Sequence, residues 1–189
     1  TVWLERYTVP WLTEYMQLAY ITFYFLPFIL CAPPYRPGQL RAFRTALCAL
    51  LLGYYVSYLL YFLTPARGPR FYLASSQGIP LTGLWLATPL QDFLDHLEGV
   101  QRDAFPSGHT AIAVIVMVLA FWYQHRLRYP LLLVTTSLVL STVYLRYHYV
   151  VDVIAGILLA FWCLGVSFWL HREPQNACTP RAVPVQSSK

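Results

Sequence analysis

Two short polar stretches interrupt an otherwise apolar chain, and each carries a histidine. The first is Phe105-Pro106-Ser107-Gly108-His109-Thr110; the second runs Tyr144-Leu145-Arg146-Tyr147-His148-Tyr149-Val150-Val151-Asp152. An ionisable side chain at the edge of a long apolar run is costly unless it is paired or has a function. His148 and Asp152 stand four residues apart, hence on one face of a helix. A carboxylate there can accept the N–H of one ring nitrogen and leave the other as nucleophile or base. The competing reading is a surface ion pair. It is disfavoured because Asp152 opens an apolar segment, Val153 to Leu158.

In the first stretch Ser107 follows Pro106 and is placed to cap a helix. Free amides and the positive end of the helix dipole would then form an anion site. Gly108 lets backbone approach a ligand closely, and His109 sits in the first turn. A plain cap beside an interfacial histidine is the alternative. A third cluster, Thr64-Pro65-Ala66-Arg67-Gly68-Pro69-Arg70, offers two guanidinium groups as a phosphate clamp. Alone, these would read as interfacial arginines reaching for headgroups.

Together the three clusters have the parts for phosphoryl transfer. Arg67, Arg70, Arg146 and the Ser107–Gly108 helix start hold phosphate oxygens, His148 attacks in line, and His109 protonates the leaving oxygen. The two histidines need opposite protonation states, which predicts a bell-shaped pH profile. Zinc fits poorly: His109, His148 and Asp152 can ligate metals, but neither the HExxH nor a Cys/His spacing occurs. No metal and no cofactor are expected.

The elements that must position these groups are membrane helices. Of 189 residues, 58% are hydrophobic and 11% charged, against about 25% charged in a soluble domain. Six Trp and 15 Tyr suit a protein that anchors at two water–lipid interfaces. Five apolar runs approach the ~20 residues a bilayer needs: 15–32, 43–63, 108–124, 130–147 and 149–170. The fold expected is an all-α, polytopic membrane bundle. Residues 1–14 read as an interfacial segment, 15–172 as the transmembrane domain and 173–189 as a disordered cytoplasmic tail. Residues 32–38, rich in proline, break the first run from the second.

Eight of the 13 Lys and Arg fall in loops 36–44, 125–130 and the tail after His171. That side should be cytoplasmic, so the amino terminus and both histidine stretches face outward, as at a plasma membrane. The chain begins with Thr, which suggests trimming, and an upstream sixth helix would suit this topology. In the long loop 64–106, Leu90, Phe93, Leu94 and Leu97 repeat at helical spacing and predict an amphipathic helix that lies on the membrane or lids the site. The net charge of +5 is scattered without a basic block, so nucleic acid is not an expected partner. Cys31, Cys48, Cys163 and Cys178 lack metal or redox spacing and read as small hydrophobes.

On these residues the sequence resembles the type-2 phosphatidic acid phosphatase superfamily of membrane lipid phosphatases and phosphotransferases. Pro106-Ser107-Gly108-His109 matches its second motif, and His148 with Asp152 matches the end of the third. The resemblance implies a six-helix bundle with its site at the outer leaflet, a phosphohistidine at His148, Asp152 orienting it and His109 as acid. Two positions depart from the pattern. Leu60 and Leu63 occupy the places counted back from Arg67 and Arg70 where a Lys belongs, and Thr142 stands where the third motif has Arg, with Arg146 as a possible substitute. The phrase Thr142 to Asp152 looks more like the inositol phosphorylceramide synthase and sphingomyelin synthase branch. The reading is a membrane lipid phosphatase acting on a phosphomonoester or diphosphate. The alternatives are a phosphotransferase that passes the phospho-headgroup to a lipid alcohol, and a non-catalytic scaffold with a degenerate site. Vanadate-dependent haloperoxidases share the site design, but they are soluble.

Overall fold

The computed structural model describes residues 2–31, 40–98, 103–123 and 125–172. The expected Pro-rich breaker and the expected disordered tail lie outside them. Among the described residues the chain is helical, with one isolated parallel bridge between Ala66 and Asp103. The helices are α1 (Pro10–Ile21), α2 (Leu26–Cys31), α3 (Leu40–Leu63), α4 (Pro69–Tyr72), α5 (Ala87–Glu98), α6 (Gly108–Trp122), α7 (Arg128–Tyr144) and α8 (Val150–Leu170). A 3-10 turn, Val2–Tyr7, precedes α1.

Each of the five apolar runs becomes helix, with two differences from expectation. The first run starts earlier, at Pro10, and is divided by a 3-10 turn at Thr22–Tyr24 into α1 and α2. Only α3 and α8 among the described helices are long and apolar enough to cross a bilayer; α6 has 15 residues and α7 has 17.

Helix α6 is the hub, packed against α2, α3, α7 and α8. Its sequence explains this: Ala111 to Val116 is apolar all round, and a helix without a polar face must be enclosed. Two glycines let neighbours come close, as small residues do at membrane helix contacts. A Cβ at Gly53 of α3 would stand 2.9 Å from Ile112 Cδ1. A Cβ at Gly156 of α8 would collide with the Ser107 carbonyl and stand 3.0 Å from Thr110 Cβ. Several buried hydroxyls are satisfied within their own helices: Ser57 donates to Gly53 O (2.7 Å), Thr135 to Leu131 O (2.7 Å) and Ser141 to Leu138 O (2.7 Å); two others link α1 to α7, Thr13 with Tyr144 (3.1 Å) and Ser137 with Tyr15 (2.6 Å). Where hydroxyls bond within their own helix, the interhelical surface is free to pack as hydrocarbon.

A smaller cluster joins α1, α5 and the end of α7 through Tyr20, Leu94, Tyr144 and Leu145. The amphipathic helix expected in the long loop is therefore real, but its face is turned. Leu94 is fully buried, whereas Phe93 is exposed.

Candidate active site

The two polar stretches lie side by side. The Ser107 amide donates to the Asp152 carbonyl at 3.0 Å, and His148 Nδ1 lies 2.8 Å from the Ala104 carbonyl. Ala104 in turn donates its amide to Ala66 O at 3.2 Å, beside Arg67. One backbone segment, Asp103–Ser107, thus ties the arginine loop to the start of α8.

His148 is buried and held from both ends. Its amide, like that of Tyr147, donates to Thr142 O at 3.0 Å, closing the turn after α7. A carbonyl can only accept, so Nδ1 must carry the proton it gives to Ala104. The neutral ring then has its lone pair on Nε2. Asp152 Oδ2 is 3.8 Å from Nδ1, a charge neighbour outside hydrogen-bond range. Its stronger contact is the Tyr149 amide, accepted at 2.7 Å, which caps α8.

His109 occupies the first turn of α6, between Tyr20 (ring centroids 4.7 Å apart) and Phe23 (4.2 Å). Its ring centroid is 5.7 Å from that of His148. Tyr20 also stacks on Tyr147 at 4.5 Å, so one aromatic of α1 braces both histidine stretches.

Ser107 caps α6 as the sequence suggests: its Oγ accepts the Thr110 amide (3.3 Å) and the Thr110 hydroxyl (3.0 Å). Gly108 is required for packing. Its amide donates to the Tyr61 hydroxyl at 3.1 Å, and a Cβ would stand 2.6 Å from that oxygen. The amides of Gly108 and Thr110, expected to be open to an anion, are therefore already engaged by protein groups.

The three arginines have separate situations. Arg67 is exposed and lines an open groove of about 480 Å³ with Pro65, Tyr72 and Tyr149, next to His148 in sequence. The guanidinium of Arg70 lies 5.7 Å from the Tyr147 ring centroid, and its amide donates to Arg146 O at 2.9 Å. Arg146 is buried in the left-handed backbone region (φ 66°), which bulky residues seldom adopt. Its guanidinium is held by Glu5 (3.3 Å), Gln77 Oε1 (3.2 Å) and Ile79 O (2.9 Å).

The structure thus unites His109, His148 and Asp152 and places Arg67 on a groove shared with Tyr149, while Arg146 faces the amino-terminal segment. Sequence reasoning missed Ala104, Glu5, Tyr20 and Phe23. A backbone carbonyl leaves no trace in residue type. An acid 141 residues before its partner, or an aromatic within an apolar run, has no local signal either.

A helical bundle with paired histidines at the mouth of its central helix defines a class, and the comparisons agree with it. The chain belongs to the PAP2 superfamily, whose family profile matches residues 2–166. It is similar to a PA-phosphatase related-family protein of Dictyostelium discoideum, with 23% identity over 172 residues. That match covers 80% of this chain but only 31% of the relative, so the chain spans less than a third of that protein's length. No solved structure gives a significant match. Family membership and the two helices of spanning length make this a membrane-associated protein.

Proposed function

We propose that the chain is a metal-independent lipid phosphatase that works through a phosphohistidine at His148. The observation that carries this reading is the fixed tautomer of His148, with the His109 ring 5.7 Å away. Nε2 of His148 attacks phosphorus, and the phosphorus–oxygen ester bond breaks with its electron pair going to the leaving alcohol. His109, protonated, supplies that oxygen with its proton. Water then attacks the phosphohistidine, gives its proton to His109, and releases inorganic phosphate and neutral His148. Asp152 lends negative charge beside the ring while it is cationic. Arg67 and Arg70 neutralise the phosphate oxygens.

Arg146 acts as a positioning residue in this reading, because its guanidinium is engaged by Glu5, Gln77 and Ile79. The site faces the extracytoplasmic side of the membrane, on the basis of the Lys and Arg distribution. The sequence phrase Thr142 to Asp152 favours a second reading, in which a lipid hydroxyl replaces water as acceptor.

The test is purified protein in detergent with labelled phosphatidate and excess EDTA, with and without a diacylglycerol or ceramide acceptor. Release of free phosphate, abolished in His148→Ala and blocked by vanadate, is the expected result. Transfer of label to the acceptor selects the second reading. A strict divalent-metal requirement overturns the mechanism, and inactivity across a broad lipid panel leaves a non-catalytic scaffold.

A further inference from the structure

The loop that leads into α5 presents Leu84, Trp85 and Leu86 in succession, 58%, 87% and 50% exposed. Three consecutive exposed apolar side chains are a fault in a water-facing loop unless they have a partner. The backbone beneath them is unusually well provided for. The amides of Leu84 (2.8 Å), Trp85 (3.2 Å), Leu86 (2.7 Å) and Ala87 (3.2 Å) all donate to the carboxylate of Glu14 on α1. Gly83 makes room for this clamp, since a Cβ there would stand 2.5 Å from Glu14 Oε2 and collide with Ala87. Irregular backbone tolerates lipid only where protein satisfies its polar groups. Here four successive donors are satisfied without water, and the carboxylate's charge is offset by them and by the positive end of α5.

The surroundings have the composition of a bilayer interface. Trp11 and Leu18 lie three residues before and four after Glu14, hence on the same face of α1, and both are exposed. Trp3 and Tyr7 are exposed on the preceding turn, where the Arg6 guanidinium lies 3.6 Å from the Trp3 ring centroid. Aromatics with a cation at their edge mark the headgroup boundary. This surface is on the active-site side of the bundle, because α5 buries Leu94 against Tyr20, Tyr144 and Leu145, and Tyr20 contacts His109.

We propose that Leu84-Trp85-Leu86 is a bilayer-seated tip, clamped by Glu14, that enters the headgroup–acyl boundary of the leaflet on the active-site side. The partner is the lipid surface. The inference rests on membrane association and not on the phosphatase reading, so its readout stands whether or not the protein hydrolyses lipid.

The experiment uses the full chain, with Cys31, Cys48, Cys163 and Cys178 replaced by Ala, in phosphatidylcholine vesicles. Trp85→Cys carries an environment-sensitive fluorophore, and Asp92→Cys on the exposed side of α5 is the comparison. Label at position 85 should be quenched severalfold more by doxyl-labelled lipid than label at position 92, and severalfold less by aqueous iodide. Adding Glu14→Gln should reduce the lipid quenching at position 85. Equal iodide access at the two positions overturns the proposal, as does concentration-dependent self-quenching at position 85, which would assign the tip to a second copy of the chain. Unchanged quenching in Glu14→Gln overturns the role of the clamp. Leu84→Cys supplies the same readout if Trp85→Cys fails to fold.

Discussion

His148 gives its Nδ1 proton to the carbonyl of Ala104, 2.8 Å away, and not to the carboxylate of Asp152 at 3.8 Å. The orienting group for the proposed nucleophile is thus main chain, supplied by the segment that leads into the other histidine.

Asp152→Asn should therefore be a mild lesion. The amide oxygen keeps the Tyr149 cap, and Ala104 keeps the tautomer, so only the charge is lost. Turnover of phosphatidate is expected to fall about 10–100-fold, in the range for removing a supporting partner. It should stay well short of the ~10⁴-fold loss that follows a wrong tautomer. His148→Ala should be inactive. Steady-state rates of the two variants decide the matter, and equal losses would assign tautomer control to Asp152.

His109→Gln tests the acid. General acid catalysis contributes about 10²–10⁴-fold, so phosphatidate hydrolysis should fall by that factor. An ester with a good leaving group, such as p-nitrophenyl phosphate, should be affected far less. The proposed acid and nucleophile roles predict a bell-shaped pH profile in the parent protein. The alkaline limb should vanish in His109→Gln.

Glu5 and Arg146 should behave as one unit. Their side chains are only 13% and 8% exposed, in that order, and removing one partner of a buried pair costs about 3–5 kcal/mol. Glu5→Gln should therefore reproduce most of the loss of thermal stability and kcat seen in Arg146→Gln, and the double variant should add little. If Arg146 binds phosphate directly, Arg146→Gln alone will raise KM while Glu5→Gln leaves it unchanged.

Acid should release the Glu14 clamp. Desolvation works to raise the Glu14 carboxyl, but the four amide donors outweigh it and hold the pKa below the ordinary carboxylate value. A group whose folded pKa is depressed contributes stability above its unfolded pKa, about 4.3 for Glu, and loses that contribution as pH falls through the folded value. Lipid quenching at position 85 should thus be steady at neutral pH and decline below about pH 4. In Glu14→Gln it should be low and independent of pH.

The helical class, the positions of most helices and the histidine pair were legible in the sequence because each is encoded locally. Apolar runs of near-spanning length have few structures open to them in lipid. Ser107 before an apolar run caps whatever helix follows, and a His and an Asp four apart share a face wherever they fall. The break at Thr22–Tyr24 was not legible, since Phe23 reads as one more apolar residue and the turn arises where it packs against His109 and Tyr54.

What the sequence determined by itself was the set of chemical groups and their spacing along each helix. Tertiary structure alone decided their partners. It took Arg146 from a presumed phosphate site to Glu5, engaged the Gly108 and Thr110 amides with Tyr61 and Ser107, turned α5 so that Leu94 and not Phe93 is buried, and chose Ala104 to hold His148. The physical reason is the same in each case. A buried polar group must find a partner, the partner is whichever group packing brings within about 3 Å, and packing joins residues that the sequence keeps far apart.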